Sequence, residues 1–368
     1  MTDRYDRRAR GYARHWAPVL APTALRVLDL ADAWLPRDGA GATILDVGAG
    51  TGTLTLAATR RWPAAHVIGL DPSEGMLAVA RQAARRLPRP PRFLTAPAEA
   101  IPLPEASVDV VVSSFVLQLV PDRLAALREI RRVLRPGGRL AFATWLAEDR
   151  PFAASEAVDA ALDELDIEEP EEPEPARAGD LASTGAAAAQ LRRAGFRPAG
   201  ARAHLLEHAW TAESYLAYRL QCYDEELVAA LQPDRQARLE TSARARLAGL
   251  GGEELHFRAG IVFGWGQRPS EYQDPGAPPP GQRIGPSEYR RVSRTSGWYR
   301  GTGAAASMLR IWRSSSSPTL EIAEWPGTSS WRGSGSATCS TPGRPCSSAT
   351  SSSKASKTAT VSRWPSCA

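Results

Sequence analysis

Lysine is missing from the first 353 of the 368 residues, and only one of the four cysteines, Cys222, falls in the first 338. A single early cysteine excludes a disulfide framework and a cysteine-rich metal site in the main body, and a reducing, cytoplasmic setting is the expectation. No apolar run is long enough for a membrane span. The opening residues, MetThrAspArgTyrAspArgArgAlaArg, carry charge where a signal peptide would have its apolar core. Charge of one sign is also lacking over residues 1–269: of the net +5, residues 270–368 supply +7, leaving the main body at −2. A basic average produced by one tail does not argue for a nucleic-acid partner.

That tail is a separate compositional region. From 270 to 368 it is dominated by Ser, Gly, Pro, Arg and Thr with isolated Trp, it has almost no Val, Ile or Leu runs, and it holds both lysines, Lys354 and Lys357. Such a stretch cannot bury enough apolar surface to fold. A genuine disordered tail and an out-of-frame segment both remain open. The folded domain is placed at 1–269, with a core over 43–145 and flanking segments 1–35, 146–180 and 212–248.

The most informative stretch of the chain is IleLeuAspValGlyAlaGlyThrGly, Ile44 to Gly52. A short apolar run, an acid and then alternate glycines reads as a buried strand breaking into a tight turn that offers bare backbone to a ligand. The register is G-x-G-x-G, because Thr53 stands where a dinucleotide site would have its third glycine. Tyr5 to Leu35 reads as helix broken at Pro18 and Pro22, with Tyr12, His15 and Trp16 candidates for a lid. Strands are expected at Thr43–Val47, His66–Leu70, Phe93–Thr95, Val108–Ser113, Arg139–Trp145, Arg202–Trp210 and Leu255–Trp265. Helices are expected at 54–62, 74–87, 123–134, 181–194 and from 211 to 247. Strand, turn and helix in succession imply a doubly wound α/β sheet. The acidic, proline-punctuated run between Glu164 and Pro175 reads as a solvated linker.

In such a sheet the ligand sits at the carboxyl ends of the strands. Asp46, the glycine turn and Asp71 arrive there, with Ala98 and Glu99 after the third strand and Ser113, Ser114 and Phe115 at the end of the fourth. Asp71, closing the second strand, suits two vicinal hydroxyls and so a ribose. Met76 offers a soft apolar face to a base.

Four motifs carry a resemblance: the Ile44–Gly52 turn, GlyLeuAspProSerGluGlyMetLeu, AlaGluAlaIleProLeuProGluAlaSerValAspValValValSerSerPheValLeuGln, and LeuArgGluIleArgArgValLeuArgProGlyGlyArgLeu. Together they closely resemble the class I S-adenosylmethionine-dependent methyltransferases of the type 11, ubiquinone/menaquinone-methyltransferase-like group. The resemblance implies a Rossmann-like, doubly wound, seven-stranded sheet with an antiparallel last strand, S-adenosyl-L-methionine as cofactor, and methyl transfer to a small-molecule acceptor. It places Gly48 and Gly50 beside the methionine moiety, Asp46 on its amino group, Asp71 on the ribose, Met76 on the adenine, the Ser113 backbone at the methionine end and Tyr12 over the carboxylate. The cofactor contacts expected are Tyr12, Asp46, Gly48, Ala49, Gly50, Asp71, Pro72, Met76, Ala98, Glu99 and Ser113.

Two positions depart from the pattern. Pro97 stands where an acid would accept the adenine amino group, so that bond passes to Glu99 or is lost, at a cost of about 1 kcal/mol. Gln118 and Leu119 occupy positions where relatives often carry histidine. No general base stands out: His15, Glu148, Tyr215 and Tyr223 are candidates, and Gln118 can only orient. His204 and His208 share one strand face but have no third ligand at suitable spacing, so no metal is expected. The protein is expected to be a monomer or homodimer with no membrane or nucleic-acid partner. Two other readings share the sheet: a nicotinamide dehydrogenase, opposed by the glycine register, and a non-catalytic cofactor-binding protein.

Overall fold

The computed structural model describes residues 2–148, 150–167 and 176–270. The rest of the acidic run, 168–175, and the tail from 271 onward lie outside the described residues, so the expectations for both rest on sequence.

Alternation of one glycine turn and one apolar strand builds the first half of the sheet. Thr43–Val47 (β1), His66–Asp71 (β2), Arg92–Thr95 (β3), Val108–Ser114 (β4) and Leu134–Trp145 (β5) are joined by helices Thr53–Arg61 (α3), Glu74–Ala84 (α4) and Arg123–Val133 (α5). After Ala153–Glu164 (α6) and Thr184–Arg193 (α7) come Ala199–Ala209 (β6), Ala212–Tyr218 (α8), Glu225–Ala230 (α9), Pro233–Ala248 (α10) and His256–Gln267 (β7). The order across the sheet is β3-β2-β1-β4-β5-β7-β6, with β7 antiparallel to both of its neighbours. The seven-stranded, doubly wound sheet with an antiparallel last strand is therefore present as the sequence indicated. Strand order reverses between β1 and β4, which puts the ligand crevice at their carboxyl ends.

Both faces of β1 and β4 are covered, which is why they read as unbroken apolar runs. Ile44 joins Leu20, Val27 and Leu28 of the N-terminal helix Ala17–Ala31 (α2) in one layer, while Leu45 and Val47 join Leu127 and Ile130 of α5 in the other. Neighbours on a strand point to opposite faces, so a one-residue slip would exchange the two sets between the layers.

Several boundaries differ from expectation, three of them informatively. Thr2–Gly11 (α1) is followed by a wide π turn, Tyr12–Trp16, and α2 then runs on through Pro22. Pro18 does not break the helix, because it lies in the first turn, where a backbone N–H has no partner to lose. β5 begins at Leu134, before ProGlyGly: Leu134 pairs with Val108 and Arg139 already with Val110, so the glycines form a bulge inside a strand. α7 starts only at Thr184, capped by Ser183 accepting from the Ala186 N–H, and Leu181 instead forms a bridge with Leu146.

Candidate functional site

The glycine turn is held by one carboxylate. The N–H groups of Gly48 and Ala49 donate to the Leu70 carbonyl at 2.7 and 2.9 Å, and that of Gly50 donates to Asp71 Oδ2 at 2.8 Å. Asp71 Oδ1 accepts from the Ser73 N–H at 2.8 Å. Gly48 has φ +75° and Gly50 φ +53°, conformations that side chains rarely adopt. A Cβ on Gly48 would overlap the Val116 side chain, whereas one on Gly50 would meet nothing within 4 Å. Gly50 thus presents bare backbone to open space at the crevice.

Asp71 therefore does more than the sequence suggested: each oxygen already accepts one backbone N–H, leaving each a further lone pair for a ligand. Burial raises its pKa, opposed by those two hydrogen bonds.

Asp46, at the end of β1, is 1 % exposed. Its Oδ2 accepts from Thr55 Oγ1 at 2.6 Å, and its Oδ1, buried, has no partner. Burial pushes this carboxyl up to about 7, against the Thr55 hydrogen bond that pulls it down. An acid whose folded pKa exceeds its unfolded one favours the native state at low pH and loses that advantage as pH rises through the folded value. Between pH 4 and 8 this group alone is expected to remove about 4 kcal/mol of stability from the unliganded protein. Asp46→Asn should abolish that component and raise the melting temperature at pH 8 without ligand; equal pH slopes for variant and wild type in thermal unfolding would refute the assignment.

The remaining expected contacts are spread along the same edge. Ser113 is fully buried and its Oγ donates to the Val47 carbonyl at 2.8 Å, fastening β4 to β1. Met76 and Ala98 are buried, and Pro72 and Pro97 are exposed. The Ala96 N–H donates to the Asp71 carbonyl at 3.2 Å, bringing the stretch after β3 beside β2. Glu99, three residues on, has a buried Oε1 without a partner. Tyr12 is half-buried in the π turn against the apolar layer that contains Trp16.

The structure removes most of the candidate bases. Gln118 donates through Nε2 to the Phe115 carbonyl at 2.8 Å and accepts from Thr144 Oγ1 at 2.7 Å, so both ends of its amide are tied to the protein. Its role is to hold Phe115, whose φ of +56° is a strained conformation for an aromatic residue, with the ring 4.6 Å from that of Trp145. Gln118→Ala should leave that carbonyl and the Thr144 hydroxyl unpaired and cost about 2–3 kcal/mol, read by urea unfolding. Tyr215 is fully buried and its hydroxyl pKa is raised by burial, beside Ser155 and Arg219. Tyr223 lies under the Arg219 guanidinium, 5.0 Å from its ring centre. Glu148 pairs with Arg150 at 2.6 Å and His15 meets Gln221 at 3.2 Å. His204 faces Arg26 and His208 faces Trp210, and no metal-binding cluster occurs among the described residues.

Sequence reading missed Asp6. Its Oδ1 accepts from Ser73 Oγ at 2.6 Å and from the Gly75 N–H at 2.7 Å, which holds its carboxyl below the usual range. A Cβ on Gly75 would lie 2.6 Å from the Asp6 carbonyl oxygen, so the glycine in the first turn of α4 exists to let α1 approach. That glycine was the one available signal.

Comparison with known proteins bears on the same segment. Residues 45–142 match a family model described as "Methyltransferase domain". The demethylmenaquinone methyltransferase of Thermus thermophilus is 42 % identical over 115 residues, covering 31 % of this chain and 50 % of the relative. The trans-aconitate 2-methyltransferase of an Azoarcus species is 42 % identical over 107 residues, 29 % of this chain and 40 % of the relative. The chain thus spans about half or less of the length of these relatives. A putative methyltransferase from an antibiotic biosynthesis pathway of Anabaena variabilis aligns structurally at 20 % identity and TM-score 0.46, over 66 % of this chain and 97 % of that one. The segment that supplies the glycine turn, Asp46, Asp71 and Ser113 is thus the one that matches the methyltransferase-domain model.

Proposed function

We propose that the protein transfers a methyl group from S-adenosylmethionine to a small-molecule acceptor. The observation that carries this reading is the Asp71-pinned glycine turn, open in front of Gly50, in a segment that also holds two buried carboxyl oxygens without donors, Asp46 Oδ1 and Glu99 Oε1. Buried acceptors of this kind call for donors. S-adenosylmethionine carries an ammonium at one end and an adenine amino group at the other, with vicinal ribose hydroxyls between them. Asp46 would take the ammonium, whose positive charge would return that carboxyl to its ionised form. Asp71 would take the ribose with its remaining lone pairs. Glu99 would replace the acid that Pro97 does not supply, and Met76 would pack on the base.

When bound, the cofactor supplies an electrophilic sulfonium methyl. The chain's part is to hold it, align an acceptor in line with the methyl–sulfur bond and exclude water. The antiparallel β7 and the G-x-G-x-G register disfavour the dehydrogenase reading. Incubation of the full chain with methyl-labelled cofactor and a panel of small O-, N- and C-nucleophiles tests the proposal. Labelled product together with stoichiometric S-adenosylhomocysteine is expected; tight cofactor binding with no transfer to any acceptor would leave a binding protein only.

A further inference from the structure

Asp71 can serve a ligand only if its oxygens are held in place, and Oδ1 is held by the Ser73 N–H at 2.8 Å. Ser73 is also the N-cap of α4, where its Oγ accepts from the Met76 N–H at 3.1 Å. One residue therefore sets both the carboxylate assigned to the ribose and the backbone of the methionine assigned to the base. Ser73 is 2 % exposed, so its hydroxyl proton needs an acceptor within the protein. That acceptor is Asp6 Oδ1, at 2.6 Å. A hydroxyl has a single proton to give, and with it committed to Asp6 the oxygen lone pairs are left to cap α4.

Asp6 Oδ1 accepts from the Gly75 N–H as well, at 2.7 Å, so a single oxygen of α1 closes the first turn of α4. The helix dipole favours a carboxylate at that end. The approach is close: a Cβ on Gly75 would lie 2.6 Å from the Asp6 carbonyl oxygen and 2.7 Å from its Cα. Elsewhere α1 is anchored to α9, where Arg7 Nε pairs with Glu226 at 2.6 Å and Arg8 Nη2 lies 3.6 Å from the same acid. Residue 6 lies outside the 45–142 segment that matches the family model, so the N-terminal helix adds this tie to a turn that the segment supplies.

We propose that Asp6 is a positioning residue for the cofactor: by fixing the Ser73 hydroxyl and the first turn of α4, it holds Asp71 and Met76 in the geometry that receives the nucleoside. This role rests on the S-adenosylmethionine reading of the site. Asp6 acts through Ser73 and touches neither the ligand nor the reacting atoms. Cofactor affinity consequently depends on the docking of α1 against α4, and not on its docking against α9.

Calorimetric titration of the full chain with S-adenosylhomocysteine and with 5′-methylthioadenosine, which share the nucleoside, tests this, with thermal unfolding to show that each variant is folded. Asp6→Ala is expected to weaken both ligands by the same factor, about tenfold, the worth of one hydrogen bond. Asp6→Asn should recover most of that loss, because both bonds go to one oxygen and an amide oxygen can accept both. Gly75→Ala leaves the carboxylate intact but drives α1 away from α4, and should weaken both ligands as Asp6→Ala does. Arg7→Ala, which removes the exposed pair with Glu226, should leave both affinities within about twofold. Unchanged affinity in Asp6→Ala, a loss confined to S-adenosylhomocysteine, an Asp6→Asn variant as weak as Asp6→Ala, or an equal loss in Arg7→Ala would overturn the proposal. If wild type bound neither ligand, the cofactor reading itself would fall, and this inference with it.

Discussion

Asp71→Ala is expected to weaken S-adenosylhomocysteine binding by at least about a hundredfold and to lower the melting temperature of the unliganded protein. Two separate losses combine. The Gly50 and Ser73 N–H groups lose their acceptor, so the turn is no longer pinned to the end of β2, and hydrogen bonds to a charged group contribute about 1.5–3 kcal/mol each. On the proposed reading the ribose hydroxyls lose theirs as well. Asp71→Asn separates the two effects: an amide keeps one accepting oxygen but turns an NH2 toward the other backbone N–H, so its affinity should fall between wild type and alanine. Titration calorimetry with parallel thermal unfolding reads both quantities. An affinity unchanged in Asp71→Ala would show that the carboxylate only shapes the turn.

Gly48→Ala is expected to cost about 3 kcal/mol of stability, the larger of the two glycine effects. Holding a side-chain-bearing residue at a φ of +75° costs about 1–2 kcal/mol, and the added methyl must displace Val116, an overpacking penalty of about 1–3 kcal/mol. The double variant Gly48→Ala, Val116→Ala should regain the second part and not the first. Gly50→Ala makes the comparison informative, since its Cβ would meet open space. It should cost only the backbone strain, about 1 kcal/mol, yet weaken cofactor binding, because the methyl projects where the ligand passes. Urea unfolding of the four proteins gives the stabilities; equal destabilisation by the two single substitutions would contradict the packing described.

The parts of the fold that were legible in sequence are those encoded by neighbours. Thr43–Val47 was bounded by its apolar run and the following glycines, and Asp71 by its place at the end of a second such run. Pairing between residues far apart in the chain was not legible. Asp6 lies 67 positions from Ser73, and nothing in a charged, surface-like helix distinguishes the one carboxylate that docks from those that stay solvated. Arg8 is hidden in the same way, since local pattern makes it one of four arginines in α1 and only the tertiary structure buries it. Sequence offers Gln118 only as an orienting group; its engagement by Thr144 depends on the neighbouring strand β5. The sequence places a helix up to Leu134 and a strand only from Arg139, after ProGlyGly, whereas residues on both sides of those glycines pair with β4 around a bulge.

The central claim is that the Asp71-pinned turn holds S-adenosylmethionine and not a dinucleotide. Calorimetric titration of the purified full chain with S-adenosylhomocysteine and, separately, with NAD tests it most directly. Saturable binding of S-adenosylhomocysteine with one site per chain, and no heat with NAD, is the predicted result; saturable NAD binding, or no binding of S-adenosylhomocysteine, would contradict it.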